Sequence, residues 1–206
     1  MGMRCLKVGF RPGKADPKVQ EEYKQEKLEP RLSEAKEGKR AVFFVDAAQF
    51  VMGAFLGLVW CFERLFIKSP SGRKRFNVLG ALNAISHEVI TVTNDAYINA
   101  ESVCQLLHKL AALGLSIPIT LVLDNARYQK CKLVQELADS LGIELLYLPS
   151  YSPNLNLIER LWKLGVAKGW GRLVRTNGKA QNVEIIIQRP KQLSKDERTT
   201  VVTILC

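Results

Sequence analysis

Three acidic residues fall where a carboxylate is either costly or placed to take a ligand: Asp46, Asp124 and Glu159. Asp46 interrupts the apolar run Ala41-Val42-Phe43-Phe44-Val45, where an ionised carboxylate is unfavourable unless a metal ion or a partner compensates it. Asp124 closes a second run, Thr120-Leu121-Val122-Leu123, and α/β proteins gather their ligands at C-terminal strand ends. Glu159 follows after 34 intervening residues, on a helical stretch with Leu157, Ile158, Leu161 and Trp162 on its apolar side and Arg160 and Lys163 on its polar side. Each position also has an ordinary structural reading. Asp46 can cap Ala47 or Ala48 at an exposed strand end, Asp124 can close an Asx turn, and Glu159 with Lys163 has the i,i+4 spacing of a weak surface ion pair. The combination, two strand-end aspartates and then a helix-borne glutamate, is what points to a shared site.

The elements that must position these residues can be read from periodicity and punctuation. Residues 1–40 are polar and charged, broken by Pro12, Gly13, Pro17 and Pro30, with a helix expected from Asp16 to Leu28; they read as a basic connecting arm. Strand patterns follow at Ala41 to Asp46, Ala54 to Phe62 and Phe76 to Ile85, the last two separated by the turn Ser69-Pro70-Ser71-Gly72-Arg73, and then at Glu88 to Thr93. The period then changes to 3.6, with Val103, Leu106, Leu107, Leu110 and Leu113 on one face and Gly114 as a cap. Next come a strand from Ile117 to Leu123, a helix from about Lys130 to Leu141 that stops at Gly142, and a strand from Ile143 to Leu148. A last helix is expected to start near Ser152-Pro153, the proline fixing where Glu159 projects. The succession predicts an α/β, ribonuclease H-like fold: a mixed sheet, antiparallel then parallel, flanked by helices. This reading gives a catalytic domain over residues 41–165 and an atypical basic tail over 166–206.

Composition narrows the function classes. With 47% hydrophobic and 24% charged residues the chain has the balance of a folded globular protein. Thirty Lys and Arg against twenty Asp and Glu leave a formal charge of +10, which favours a polyanionic partner, nucleic acid ahead of an anionic membrane surface. The five cysteines are scattered without a Cys-x-x-Cys pair, and His87 and His108 lack metal-ligand spacing, arguing against a disulfide framework and against a zinc site. No signal peptide pattern and no uninterrupted apolar run of about 18 to 20 residues is present; the richest run, Phe50 to Phe62, is broken by Gly53 and Gly57. The expectation is a cytoplasmic, nucleoid-associated protein without a membrane partner.

The segments Leu123-Asp124-Asn125-Ala126-Arg127 and Leu148-Pro149-Ser150-Tyr151-Ser152-Pro153-Asn154-Leu155-Asn156-Leu157-Ile158-Glu159 resemble the second and third catalytic motifs of mariner-related bacterial insertion-sequence transposases of the DDE type. The resemblance covers about Ala41 to Lys163, and the third motif is its specific part. It implies a ribonuclease H-like domain in which Asp46, Asp124 and Glu159 are the catalytic residues and hold two divalent ions, Mg²⁺ or Mn²⁺, with Asp46 bridging both. It implies DNA, as transposon ends and as target, for the partner, and leaves a homodimer open. Phosphodiester cleavage and strand transfer suit such a site, since the work is positioning and charge neutralisation by ions roughly 3.5 to 4 Å apart, with no covalent enzyme intermediate. Members of the family carry an amino-terminal helix-turn-helix region, and this chain begins near where that region should finish; its sequence after Gly165 also departs from the family, so a truncation or frameshift is expected.

Supporting residues follow. Asn125 is placed to orient a carboxylate or, as an Asx residue, simply to close the turn. Phosphate contact is expected from Lys68, Arg73, Lys74 and Arg75 in one turn and from Arg160, Lys163, Lys168, Arg172 and Arg175, interleaved with Trp162 and Trp170; a solvated charged surface with the tryptophans in the core is the alternative. Two competing readings are a catalytically defective remnant acting only as a DNA-binding or interaction protein, and a nucleotide-binding α/β domain. The second would show a Gly-rich turn after its first strand, and Asp46-Ala47-Ala48-Gln49-Phe50 has none.

Overall fold

The structure, a computed structural model, describes residues 16–51 and 75–167. Strands β1 (Ala41–Val51), β2 (Arg75–Asn83), β3 (Val89–Asn94), β4 (Ile119–Leu123) and β5 (Ile143–Tyr147) make one sheet in the order β3-β2-β1-β4-β5. β1 pairs antiparallel with β2, from Phe43 opposite Asn83 to Val51 opposite Arg75, and parallel with β4, from Ala41 beside Ile119 to Phe44 beside Val122. β2 and β3 form an antiparallel hairpin, and β4 and β5 run parallel. This is the mixed sheet that the sequence order predicts. The expected strand from Ala54 to Phe62 and the turn Ser69 to Arg73 lie outside the described residues.

Alternation along the strands divides the core in two. Phe43, Val45, Leu79, Ala81, Leu121 and Leu123 face one side, where Val103, Leu106, Leu107 and Leu110 of α3 (Ala100–Ala111) and Val134 and Ala138 of α4 (Lys132–Ser140) cover them. Val42, Phe44, Leu82, Val122 and Leu146 face the other side, against α5 (Leu157–Ala167) and the amino-terminal helix. Asp46, two residues after Phe44, therefore belongs to the α5 side of the sheet. Among the described residues no helix is long and apolar enough to cross a membrane.

The amino-terminal helix departs from expectation. It starts as predicted, with Asp16 as its cap and Pro17 in the first turn, but it continues past Leu28 as α1 (Pro17–Tyr23), a π turn (Lys24–Leu28) and α2 (Glu29–Lys36). Pro30 has no N–H and its ring crowds the carbonyl one turn back. The widened turn, in which the Glu29 N–H donates to the Lys24 carbonyl, admits the proline without ending the helix. The segment is also packed rather than free: Tyr23, Leu28 and Ala35 are buried in the α5-side core. Arg31 and Arg40 both bond Glu144 on β5, and Arg40 also donates to Thr120 on β4 at 2.8 Å.

A second difference concerns the last helix. Pro153 opens a separate 3-10 turn (Pro153–Leu155), Asn156 is extended at φ −91°, ψ 107°, and α5 begins only at Leu157. The buried Asn156 side chain donates to the Val45 carbonyl on β1 at 3.1 Å. That bond holds residue 156 out of the helix and sets Glu159 in the first turn of α5.

Candidate active site

Asp46 and Asp124 sit on neighbouring parallel strands. Continuing the β1–β4 register two residues past the last pair, Phe44 beside Val122, brings Asp46 level with Asp124 on the same face. The strands part just there, and adjacent parallel strands lie about 4.8 Å apart where they pair. Glu159 approaches from above, in the first turn of α5, near the positive end of the helix dipole. The structure thus gathers the three carboxylates at one end of the sheet.

Their electrostatics record the proximity. Burial pushes the Asp46 carboxyl up to about 7, and the charges of Asp124 and Glu159 push in the same direction; the Ala47 N–H and the Trp162 indole oppose them. Asp124 is raised by burial first and by Glu159 second, with the Asn156 amide pulling it down. The Ala47 N–H acts on Asp46 as the capping reading anticipated, but Asp46 lies in the middle of β1 (Ala41–Val51) and is partly buried, not at an exposed strand end. The phenol of Tyr128, in the turn after β4, is raised by burial first and then by the charges of Asp46 and Asp124.

A cavity of about 300 Å³ opens over this end of the sheet, lined by Asp124, Asn125, residues 149–153 and Glu159. Tyr151 turns the lining loop at a positive φ of 59°, and Gln20 of α1 steadies that loop by donating to the Tyr151 carbonyl at 3.3 Å and accepting from Asn154 at 3.2 Å. The amino-terminal helix is thereby connected to the wall of the site.

As the side chains stand, no group of three His, Cys, Asp or Glu residues among those described is arranged to hold one ion. The three carboxylates share a field rather than a closed ligand set. The donor chemistry nonetheless fits a hard divalent cation, being three carboxylates with an excess of buried negative charge.

The remaining expectations divide. The Asn125 amide donates to the Leu148 carbonyl, tying the loop after β4 to the loop after β5, so its recorded contact is to backbone. Asn156, which sequence reasoning passed over, is the residue that reaches a carboxylate. It is wholly buried; its amide donates to the Val45 carbonyl and acts on the Asp124 carboxyl to lower it. Among the expected DNA contacts, Arg160 lies on α5 next to Glu159. Arg75 and Lys163 are placed on β2 and α5 by backbone alone, and Arg73, Lys74 and Lys168 lie outside the described residues, as do Lys68, Arg172 and Arg175.

Comparison with known proteins bears on the family and the fold. The sequence profile of the DDE superfamily endonucleases matches residues 63–179, a span that takes in Asp124 and Glu159 and leaves Asp46 outside. The chain is 26% identical over 125 residues to the "Insertion element IS630 uncharacterized 39 kDa protein" of Shigella sonnei, covering 59% of this chain and 36% of that one. Among solved structures it resembles the Mos1 mariner paired end complex with Mn (TM-score 0.62, 15% identity, all of this chain and 64% of that one). It also resembles the Mos1 strand transfer complex (TM-score 0.60, 18% identity, 98% of this chain and 63% of that one). The chain spans about a third of the length of the insertion-element relative and under two thirds of the Mos1 chains. The profile covers more than half of the sequence and the sheet resembles the fold of the Mos1 chains, so the chain belongs to the DDE superfamily endonucleases.

Proposed function

We propose that this chain is the DNA-cleaving and strand-transferring domain of an insertion-sequence transposase, with Asp46, Asp124 and Glu159 holding a pair of divalent ions, Mg²⁺ or Mn²⁺. The observation that carries the reading is the placement of Asp46 and Asp124 level on adjacent parallel strands, with Glu159 facing them from α5. Membership of an endonuclease superfamily supports it, as does the likeness to Mos1 complexes that hold transposon DNA or Mn.

When bound, such ions neutralise phosphate charge and activate a water or a 3′-hydroxyl for in-line attack. The chain's own part is positional. Asp46 feels the charges of both Asp124 and Glu159 and would serve both ions. Asp124 is oriented by Asn156, and Glu159 is delivered by the first turn of a helix that Asn156 anchors to β1. Mutual repulsion keeps uncompensated carboxylates apart, and a cation among them reverses the sign of that interaction. The excess of positive charge over the whole chain favours the DNA backbone as partner, with Arg160 beside the site as one proposed contact and Arg73, Lys74, Arg75, Lys163 and Lys168 as others.

The test is nicking of supercoiled plasmid by the purified chain with Mg²⁺, with Mn²⁺ and with chelator, for wild type and Asp124→Asn. Metal-dependent nicking that disappears in the variant is expected. Nicking that survives in chelator or in the variant overturns the assignment, and DNA binding without any nicking favours the defective-remnant reading instead.

A further inference from the structure

Directly across the β1–β2 ladder from Asp46 stands Gly80. It belongs to the face of β2 that carries Leu82, the face covered by α5. A Cβ built on Gly80 would lie 2.8 Å from Cζ2 and 3.1 Å from Cη2 of Trp162, and 3.0 Å from Cδ1 of Ile158. The indole therefore packs against the one position in the described strands that offers no side chain, opposite Asp46. Any other residue at 80 would push the ring away.

Trp162 is three residues beyond Glu159 on α5, a spacing that puts both on neighbouring lines of one helix surface. The ring is packed into the α5-side core. Its Nε1 atom is buried, and among the described residues it makes no hydrogen bond of ordinary geometry, although it lies near enough to Asp46 to act on that carboxyl. A buried donor left unbonded is costly, and Asp46 is an anion that it acts on. Indole N–H is a donor only, so it cannot compete for a cation as a ligand. Being uncharged, it does not repel one, as Lys or Arg would.

We infer that Trp162 is a positioning residue for Asp46, its indole N–H orienting the carboxylate toward the ions, and that position 80 is glycine to admit the ring. The inference rests on the reading of Asp46 as a ligand given above. It assigns to the Gly80–Trp162 pair a role that the three-carboxylate motif does not contain: a neutral donor that orients the more buried of the two aspartate carboxylates without competing for the ions.

The experiment uses the full chain and Mn²⁺ or Mg²⁺ alone as probe. Mn²⁺ affinity is measured for wild type, Trp162→Phe and Gly80→Ala, each with its urea midpoint. Separately, the three tryptophan indole resonances are followed by ¹⁵N NMR as Mg²⁺ is added to wild type and to Asp46→Asn. The expected results are Mn²⁺ binding weakened about tenfold in both ring-site variants, and one indole resonance that moves with Mg²⁺ in wild type and stays still in Asp46→Asn. If wild type binds Mn²⁺ but no indole resonance responds to Mg²⁺, or if a folded Trp162→Phe binds within twofold of wild type, the positioning role is wrong while the metal site stands. If wild type binds no metal at all, the site reading falls, and this inference with it.

Discussion

Asp46 on β1 and Asp124 just after β4 each lie two residues past the last pair of these strands, Phe44 beside Val122. Both belong to the α5 side of the sheet, with a buried amide and a helix dipole near them. Burial raises both carboxyls first, and the negative charges of Asp124 and Glu159 at Asp46, and of Glu159 at Asp124, add to it. A site of this kind is expected to lose its cation when one anion is removed. Asp124→Asn should therefore weaken Mn²⁺ binding by at least tenfold in titration calorimetry, because an amide oxygen replaces a charged hard ligand. Equal affinity in the two proteins would reduce Asp124 to a turn residue.

The pH dependence of the metal-free chain follows from Asp46. Its carboxyl rises in the fold to about 7, through burial first and its acidic neighbours second. The folded state thus binds the proton more tightly than the unfolded chain does. That contribution to stability is fully present below the ordinary carboxylate range and is lost as the pH climbs to about 7. Each tenfold change in proton affinity corresponds to about 1.4 kcal/mol, so the loss is at most about 4 kcal/mol. Urea midpoints measured in chelator should fall between pH 4.5 and 7.5, and Asp46→Asn should flatten most of that slope. A wild-type midpoint that rises over this interval would contradict the burial of an uncompensated Asp46.

Much of this arrangement is legible in the sequence because it rests on local signals. Asp46 and Asp124 each follow an apolar run, although β1 continues past Asp46 to Val51 where the antiparallel ladder with β2 extends it, and the change from period 2 to period 3.6 marks where β3 gives way to α3. The parts that escaped are those set by distant residues. The helix runs through Pro30 because a widened turn and the burial of Tyr23, Leu28 and Ala35 outweigh the proline's local preference. The last helix starts at Leu157 rather than Pro153 because Asn156 is drawn to Val45, 111 residues earlier. The roles of Gly80 and Asn156 depend on which strand lies beside which, and no local pattern carries that information.

The Arg31–Glu144–Arg40 network gives a stability prediction away from the site. Arg31 above all, with Thr120 and Arg40, holds the Glu144 carboxyl below its usual range. The stabilisation is present above the ordinary carboxylate range and is lost as the pH falls through the lowered value in the fold. The pair is about a third exposed, so screening keeps it small, and Glu144→Gln should cost about 1 kcal/mol at pH 7. The difference between variant and wild type should shrink in acid. A gap that widens as the pH falls would mean that the ion pairs contribute nothing to it.

Asn156 supplies the last test. Its amide donates to the Val45 carbonyl and lies near enough to Asp124 to lower that carboxyl, so the residue stands between the strand that carries Asp46 and the carboxylate of Asp124. Its Oδ1 atom is buried and has no hydrogen-bond partner among the described residues. Asn156→Ala leaves the Val45 carbonyl buried and unpaired at a cost of about 1 to 3 kcal/mol, and it frees Asp124 to turn. Asn156→Asp keeps the size but replaces the donor with a fourth negative charge. Both should lower the urea midpoint at pH 7. They should differ toward cations: Mn²⁺ affinity should fall in the alanine variant through lost orientation, whereas in the aspartate variant the added charge offsets that loss. Measuring Mn²⁺ affinity beside the urea midpoint separates the two tasks. A destabilised alanine variant that still binds Mn²⁺ as wild type does would confine Asn156 to holding α5 on the sheet.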